Sequence, residues 1–488
     1  MVSIGEVVLS CGAFMVSVAL VAFVAAVLYL DQQHRKYSHI PGPKRTSFFF
    51  GSVAELNKYM AEGKLMEDAI TDWGRQYGEV VKCWFLHICF IYFYNVQTAK
   101  EILVLGHLTY EKGWTYDGLS HIFGARFMGQ GLVSEKNHEI WLKRREIFNP
   151  AFSRSYLKTC ISQFNASSDL LVGSLRQTAD GNTACHLLEE LNKATIDIIA
   201  KVAFGEDFYQ FDPENIKPFH MDFRLAMNGL RTQFQEPWIK FNPFKSGYRR
   251  KVRRAIGNLR EMGQTIVRRR IEALSRGEEL GNNILSYILK AAHEAPSGGL
   301  NIEEMVDEFV TFFLAGNETT ANLLASTMLY LGQNPEVMYR LKTEVDAVIG
   351  DKEVIPYEDL SKLEYTLAVL KETLRLCPPG TGTVRTSIKD TVLSGYKIPA
   401  NSSVAVPFYS IGRSEKYWED PLEFIPDRFL DNDERSAGAF MAFSLGPRNC
   451  IGLQFALIEA RILLAKLLQS FNFTLVPDQS LEFIVEPT

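Results

Sequence analysis

The sequence predicts a mainly α fold (α+β) with small β-sheets, in one large domain that follows an N-terminal membrane helix. From about residue 55 to residue 350, apolar residues recur three and four positions apart, which is the period of amphipathic helices. Strand-like stretches are few. Hydrophobic and charged residues make up 47% and 22% of the 488 residues, a balance typical of a globular protein with ample apolar material for a core.

Charge and cysteine usage narrow the class of protein. The net charge of −5 gives no indication of nucleic-acid binding. The seven cysteines are scattered and odd in number, and no Cys-x-x-Cys pair indicates zinc. This usage fits a reducing compartment, in which a thiol stays free to bind a metal.

Residues 7–30 form an uncharged, mostly apolar run that is long enough to span a bilayer as a helix. A cleaved signal peptide is the alternative, but its apolar core is usually about 7–15 residues and ends in small residues. Here the run continues through Leu28, Tyr29 and Leu30. We therefore predict an uncleaved single-pass anchor over residues 1–30.

Basic residues follow this anchor, in a predicted linker over residues 31–45 that contains the stiff turn Pro41-Gly42-Pro43. Arg35 and Lys36 lie on the C-terminal side of the anchor, whereas the N-terminal flank offers only Glu6 and the α-amino group. Positive charge favours the cytosolic side of a membrane, so the predicted domain over residues 46–488 faces the cytosol.

The predicted β structure lies in two stretches. Residues 80–94 are rich in Val, Ile, Phe and Tyr, and residues 391–408 contain short β-prone runs separated by turns at Ser394-Gly395 and Ala400-Asn401. Both stretches are short, which limits the sheets to a minor part of the fold.

A long helix is predicted to begin after the loop over residues 295–300. Asn301 and Glu304 have the spacing of an N-cap and its capping-box partner. The helical period then continues to about Gln333 and is stopped by Asn334-Pro335. Such a helix is about 48 Å long, enough to cross a whole domain.

Five residues around Cys450 have the spacing Phe443-x-x-Gly446-x-Arg448-x-Cys450-x-Gly452. A helical pattern follows, so Cys450 is expected at a helix N-terminus, where free N–H groups favour a thiolate. The two glycines would let backbone approach a flat ligand, Phe443 would lie against the sulfur or the ligand plane, and Arg448 would reach a carboxylate. A buried cysteine on a helix is the plain alternative.

The long helix contains a second candidate element, Ala315-Gly316-Asn-Glu318-Thr319. Ala315 and Thr319 share a face, and small side chains there leave space for a ligand. Thr319 can bond to a carbonyl one turn earlier or let water enter, and Glu318 can pass protons inward. The alternative is structural, because Ala and Gly also permit close packing of helices.

The Cys450 pattern resembles the haem-binding loop of the cytochrome P-450 monooxygenases, and the resemblance covers nearly everything after residue 38. It implies haem b (iron protoporphyrin IX) between the long helix and the loop, ligated by the Cys450 thiolate. It also implies O2 as co-substrate and electrons from NADPH through a reductase. The microsomal members of the family, which this chain resembles, lie in the endoplasmic reticulum membrane.

Glu318 and Thr319 match the acid–alcohol pair with which this family delivers protons to the dioxygen that it activates. Haem-thiolate enzymes that only rearrange peroxides tend to lack the pair, so the resemblance favours a monooxygenase. Two alternatives stay open: a haem-thiolate isomerase or peroxygenase, and a non-catalytic haem-binding lipid carrier or sensor.

Further residues match structural parts of the family. Glu372-x-x-Arg375 and the Arg428 of a Pro-x-Arg-Phe segment match a buried network in which each charge needs a partner. Replacing one member is expected to prevent stable haem incorporation.

A third group matches contacts to the haem propionates, which Arg binds well because its planar fork donates two parallel hydrogen bonds. Its members are Trp141, Arg145 and Arg385. Beside Trp141, Lys143 and Arg144 are expected to face an acidic electron donor.

The expected substrate is apolar, and Phe123, Phe312, Ala315 and Gly316 are candidate pocket residues, together with residues 380–383. Aromatic residues at such positions are more often ordinary core. Three stretches resemble the sterol 24-hydroxylases of the family, which implies a sterol-like substrate. They are residues 127–135, 268–279 and 317–321.

Residues 237–244 mix aromatic side chains with lysine and are followed by the basic run 249–254. Such a stretch suits a membrane interface at which a lipophilic substrate enters. A solvated basic helix with buried aromatics explains it equally well.

The chain ends at Thr488, soon after the strand-like residues 473–476. The family usually continues through a terminal β-hairpin whose turn reaches over the substrate. Either the natural C-terminus is short or the chain is incomplete, and in the second case one wall of the pocket is missing.

Overall fold

The computed structural model describes residues 4–208, 219–281, 283–294, 301–430 and 438–476. The predicted loop over residues 295–300 therefore lies outside the described residues. The same holds for residues 477–488, which follow the strand-like stretch at the end of the chain.

Helices make up most of the described chain, as the apolar period predicted. In chain order the α-helices are α1 (Ile4–Lys36), α2 (Val53–Ala61), α3 (Met66–Tyr77), α4 (Val96–Lys100), α5 (Asp117–Ser120), α6 (His138–Phe148), α7 (Arg154–Lys158), α8 (Ile161–Arg176), α9 (Leu187–Ile199), α10 (Phe219–Gln235), α11 (Ser246–Ser275), α12 (Ile284–Glu294), α13 (Ile302–Gln333), α14 (Pro335–Val348), α15 (Glu364–Leu376), α16 (Phe408–Ile411) and α17 (Leu453–Ser470).

The strands are short and form three sheets within the described ranges. They are β1 (Val80–Phe85), β2 (Ile88–Phe93), β3 (Tyr110–Glu111), β4 (His121–Ile122), β5 (Ala125–Arg126), β6 (Thr383–Ser387), β7 (Thr391–Leu393), β8 (Tyr396–Ile398) and β9 (Ser403–Val406). The largest sheet has the order β1-β2-β9-β6-β3, and β4-β5 and β7-β8 form two-stranded sheets. Among the strand pairs of these described ranges, only β2 and β9 are parallel.

The first predicted β stretch, over residues 80–94, is a hairpin of β1 and β2 that turns at Leu86, where φ is +54°. The second stretch contains β7, β8 and β9, with left-handed residues at Ser394 and Asn401 in the predicted turns. Strand β6 was not predicted. The strand-like residues 473–476 are neither helix nor strand, since a strand forms only where a partner supplies hydrogen bonds.

Helix α13 begins and ends as predicted. The Asn301 side chain accepts a hydrogen bond from the Glu304 N–H at 2.9 Å, and the Glu304 side chain accepts one from the Asn301 N–H at 2.9 Å. The helix is 32 residues long and is buried along most of its length. It packs against α9, α11, α15 and α17, which places it at the centre of the helical core.

The hydrophobic core has one large helical part around α13 and two smaller parts on the two sides of the five-stranded sheet. One side of the sheet packs on α2 and α3, and the other side packs on the segment after α1 and on residues around Trp418. The sheet is therefore covered on both faces, as its apolar strands require.

Helix α1 is apolar and exposed, and Gly12–Lys36 is long and apolar enough to cross a membrane. Its C-terminal end contacts the body of the protein: the His34 ring lies 4.7 Å from the Trp84 ring, and the Tyr37 hydroxyl lies 3.0 Å from the Ser402 hydroxyl. The Pro41 carbonyl accepts a hydrogen bond from β1 at 2.8 Å. The predicted linker therefore lies against the sheet.

Candidate active site

Cys450 lies on a tight loop that leads into α17. The helix begins at Leu453 with Gly452 as its N-cap, so Cys450 lies two residues before the cap. The Cys450 N–H donates to the Phe443 carbonyl at 2.9 Å, which closes the loop on itself. The helix N-terminus is therefore directed toward the sulfur, as the sequence predicted.

Opposing effects act on the Cys450 thiol. Part of its side chain is accessible to solvent, but many protein atoms surround the sulfur. This desolvation of the thiolate raises the pKa of Cys450. The Gly452 N–H and the Arg145 guanidinium both lower that pKa. A metal ion bound to the sulfur would complete the ionisation, because a coordinating thiol is deprotonated outright.

Gly446 is required at its position because another segment of the backbone lies against it. Its φ is +73°, and a Cβ there would lie 2.1 Å from the Leu103 carbonyl oxygen. Neighbouring backbone makes this close approach, and the approach of a flat ligand to Gly446 stays a prediction. Around Gly452 the space is ordinary, since a Cβ there would lie 3.7 Å from the Cys450 sulfur.

On α13, the Ala315-Gly316 element lies where the fully buried stretch of the helix ends. Residues 305–314 are all buried, whereas Ala315 is exposed. The Thr319 hydroxyl donates to the Ala315 carbonyl at 2.6 Å, the bond one turn back that the sequence allowed. A Cβ at Gly316 would lie 3.0 Å from Ile199 of α9, so close helix packing accounts for this glycine.

Glu318 carries a carboxyl that can exchange a proton near neutral pH. Its Oε2 atom is buried and has no hydrogen-bond partner within the described structure. Burial raises the pKa of Glu318 to about 7, and the Arg231 cation opposes this rise only in part.

Two of the three predicted propionate contacts, Arg145 and Arg385, lie in a cluster of cations beside the Cys450 loop, and the third, Trp141, packs against it. Arg448 stacks on the Trp141 ring at 4.2 Å, and burial and Arg385 together lower the pKa of Arg448 to about 10. Arg145 is turned toward the loop and donates to the Asn449 carbonyl at 2.8 Å. Arg145 thus supports the loop backbone and places positive charge near the sulfur.

Lys112 completes this cluster, and no sequence motif indicated it. Its ammonium donates to the Val133 carbonyl at 2.5 Å and lies 4.6 Å from the Tyr116 ring centre. Burial and the cations of Arg385, Arg448 and Arg145 hold the pKa of Lys112 well below its usual range.

We define the cation cluster as Lys112, Arg145, Arg385 and Arg448. Its members form no salt bridge with a carboxylate in the described ranges, and Glu135 acts on Lys112 and Arg448 only from a longer distance. Like charges gathered in the interior are costly unless anions compensate them. A bound molecule with two carboxylates would supply that compensation. The donor set therefore fits a cofactor that carries anionic groups at one edge.

Glu372, Arg375 and Arg428 lie in one closed network. Glu372 accepts from Arg375 at 2.7 Å on each carboxylate oxygen, and from Arg428 Nε at 3.1 Å. It also accepts from the Ile425 N–H at 2.9 Å. Arg375 uses its remaining donors on the carbonyls of residues 412, 421 and 423, so the network ties α15 to the segment before the Cys450 loop.

Two of the candidate pocket residues lie in packed surroundings. Phe312 is buried, with its ring 5.7 Å from Phe148 and 5.3 Å from Phe152. Phe123 is buried at a left-handed φ of +49°, with its ring 6.1 Å from Tyr248. The core interpretation is favoured for both, and Ala315 is the candidate with open surface.

Arg144 is not available to an electron donor, contrary to expectation. Its side chain is 3% exposed and bonds to Glu304 of α13 at 2.7 Å. The expectation failed because Arg144 lies on the face of α6 that packs inward, whereas Lys143 beside it is exposed.

A cofactor suited to these residues offers a metal to the Cys450 sulfur, lies near small residues of α13 and carries carboxylates toward the cation cluster. Haem bound by a thiolate has these properties, and it defines the class of this protein as a haem-thiolate oxidoreductase.

Comparison with known proteins supports the same class of protein. Residues 41–488 match the cytochrome P-450 family, and the chain belongs to that family. It is 32% identical over 369 residues to an 11-oxo-beta-amyrin 30-oxidase from Glycyrrhiza uralensis, covering 72% of this chain and 69% of that protein. It is 31% identical over 420 residues to a cytokinin hydroxylase from Arabidopsis thaliana, covering 85% and 79%.

The family membership makes this protein a P-450 monooxygenase, with haem and iron as its cofactor. The two relatives do not support the narrower resemblance to sterol 24-hydroxylases, because their names give other activities.

Proposed function

We propose that this protein is a membrane-anchored monooxygenase that hydroxylates a lipophilic, sterol-like substrate with electrons from an NADPH-dependent reductase. The observation that carries the proposal is the placement of Cys450 at the start of α17 together with an exposed Ala315 and a Glu318–Thr319 pair on α13. Haem held by the Cys450 thiolate would supply the activation of O2, because a thiolate ligand donates electron density to the iron.

In this proposal Cys450 is the iron ligand, and its loop fixes the position of the sulfur. Lys112, Arg385 and Arg448 would hold the haem carboxylates through charge-assisted hydrogen bonds. Arg145 would support the loop and lower the energy of the thiolate.

Glu318 and Thr319 supply protons on the α13 side. A carboxyl with a pKa of about 7 is suited to giving and regaining a proton at cytosolic pH. The Thr319 hydroxyl, now bonded to the Ala315 carbonyl, can turn from that acceptor and pass the proton on. This pair favours the monooxygenase over an isomerase or a carrier.

The substrate is proposed to be polycyclic and apolar. The proposal of a sterol-like molecule rests on residues 127–135 and 317–321 alone, because the two relatives named above have other activities. The named activities of the relatives, oxidation of 11-oxo-beta-amyrin and hydroxylation of cytokinin, support oxidation of a small organic substrate more generally.

The protein is proposed to lie on the cytosolic face of the endoplasmic reticulum, held by α1 and by a second contact. Trp238, Phe241 and Phe244 are 66%, 69% and 96% exposed, and basic residues of α11 follow them. Exposed aromatics beside cations suit the lipid interface. Lys143 remains exposed for a reductase.

Removing residues 7–30 tests the second contact. The shortened protein should still bind liposomes, and Trp238→Ser with Phe244→Ser should abolish that binding. Exchange of exposed Tyr339, which lies on α14, for Ser is the control. Loss of all liposome binding on removal of the anchor alone would contradict the second contact.

The decisive experiment on the function is the carbon-monoxide difference spectrum of the reduced protein. Wild type should show a strongly red-shifted Soret band, and Cys450→Ser should lack it. Cys185→Ser, an exchange at another exposed cysteine, should keep it. A spectrum typical of histidine-ligated haem in wild type would contradict the proposal.

A second readout separates the monooxygenase from its rivals. With a reductase and a panel of sterols and other lipophilic compounds, NADPH should be consumed and a hydroxylated product formed. Turnover with peroxide but without NADPH would favour a peroxygenase, and tight lipid binding without turnover would favour a carrier.

A further inference from the structure

The segment over residues 126–136, called the strut below, connects β5 to α6 and lies along the first turns of α13. Two glycines permit the close approach. A Cβ at Gly129, where φ is +51°, would lie 2.2 Å from Asp307 Oδ1, and one at Gly131 would lie 2.0 Å from Thr311 Oγ1. The backbone of the strut therefore lies directly against side chains of α13.

Asp307 is the central contact between α13 and the strut. It has no exposed surface and accepts hydrogen bonds from Arg126 at 3.0 and 2.5 Å, from Arg260 at 2.9 Å and from the Gln130 N–H at 2.8 Å. Four charge-assisted or backbone bonds satisfy the carboxylate, so it can remain charged in the interior.

Neighbouring residues of α13 hold the strut at further points. Glu308 accepts from the Leu132 N–H at 3.0 Å. Arg144 donates to the Gln130 carbonyl and to Glu304 at 2.7 Å. The backbone of the strut is thus held on its N–H side by carboxylates and on its carbonyl side by a guanidinium.

The other carbonyls of the strut hold two members of the cation cluster. Val133 accepts from Lys112 Nζ at 2.5 Å. Glu135 accepts from Arg448 Nη1 at 2.7 Å, and Lys136 accepts from Arg448 Nη2 at 3.4 Å. The strut therefore joins the carboxylates of α13 to two members of the cation cluster.

We propose that Asp307 is a positioning residue for the cofactor: through the strut it holds Lys112 and Arg448 where they meet the haem carboxylates. The proposal rests on the haem-thiolate function given above. A cation held only by loop carbonyls moves with the loop, and anchoring the loop to the central helix removes that freedom in advance.

The test compares Asp307→Asn with Glu303→Gln. Glu303 pairs with the same two arginines but is 45% exposed and has no contact with the strut backbone among the described hydrogen bonds. Asp307→Asn should release hemin to apomyoglobin about tenfold faster than wild type. Its propionate bending bands in resonance Raman spectra should shift, and Glu303→Gln should match wild type in both readouts.

A double-mutant cycle with Lys112→Met separates positioning from general destabilisation. If Asp307 acts through Lys112, the combined variant should release hemin little faster than Lys112→Met alone, because the effects of coupled residues are not additive. Gly129→Ala, which pushes the strut from Asp307 without changing a charge, should reproduce the Raman shift. It keeps the proposal testable if Asp307→Asn does not fold.

Wild-type hemin release with unshifted propionate bands in folded Asp307→Asn would overturn the proposal, and so would fully additive effects in the cycle. Failure of the proposed function has a different signature: wild type itself would lack the red-shifted carbon-monoxide band. Hemin release still reports on the anchoring of the cofactor in that case.

Discussion

Glu372→Ala is the substitution whose consequence follows most directly from the structure. The carboxylate has no exposed surface and accepts four hydrogen bonds, two from Arg375, one from Arg428 and one from the Ile425 N–H. Alanine removes all four acceptors at once. Arg375, whose side chain has 0% exposure, is left as a buried cation without its counter-charge.

The expected cost is about 3–5 kcal/mol, the range found when one partner of a buried ion pair is removed. A domain is usually stable by about 5–15 kcal/mol, so the loss is a large share of the total. The same exchange should lower haem content, because the network ties α15 to the segment that precedes the Cys450 loop.

The assay is urea unfolding of the haem-loaded protein, together with the ratio of Soret to protein absorbance after purification. Asp427→Asn is the matched control. Asp427 lies beside Arg428 in sequence, and its ion pair with Arg340, at 2.6 Å, is 51% exposed on both sides. Such a surface pair contributes about 0–1 kcal/mol.

Two results would refute the reasoning about Glu372. One is a urea midpoint of unfolding for Glu372→Ala that equals the midpoint for Asp427→Asn, with the same dependence of the unfolding free energy on urea concentration. The other is a full Soret ratio in Glu372→Ala, which would show that haem is retained without the network. The double variant with Arg375→Met should recover part of the lost stability, since it removes the stranded cation as well.

Three further outcomes are expected. Turnover should fall as the pH rises through about 7. Burial raises the pKa of the Glu318 carboxyl to about 7, so above this pH the carboxyl has lost the proton that it donates. In Glu318→Gln the remaining activity should not fall with pH in this range. Gly446→Ala should cost about 2 kcal/mol or more in urea unfolding, since its Cβ meets the Leu103 carbonyl at a positive φ, whereas Gly277→Ala, with open space at φ +71°, should cost only about 1 kcal/mol. Asn301→Ala should lose about 1 kcal/mol through the missing cap of α13, measured as a lower unfolding midpoint, and an unchanged midpoint would contradict the cap.

Local patterns were sufficient for the elements that depend on neighbours in sequence. The capping box of Asn301 and the uninterrupted apolar period defined α13, because helix termini and helix faces are set within a few residues. The β1–β2 hairpin and the loop at Cys450 are local in the same sense. Glu372 and Arg375 are one helical turn apart, so their pairing was readable as well.

Other features depend on packing between distant segments. Strand β6 was missed because it forms between two strands that are not its neighbours in sequence. Strand β3 (residues 110–111) lies far before it in the chain, and β9 (residues 403–406) lies after it. The contact of Gly446 with Leu103 was missed for the same reason, because Leu103 lies more than three hundred residues earlier.

The sequence by itself determined the mainly helical fold, and it predicted Cys450 as the iron ligand and Glu318 and Thr319 as a proton-delivering pair on the long helix. The tertiary structure decided which charges are buried and what they face. Lys112 and Asp307 belong to no motif, yet one joins the cation cluster and the other anchors the strut. Arg144, expected at the surface, points inward instead. The physical reason is that burial and charge pairing are set by distant segments meeting in space, which no local pattern encodes.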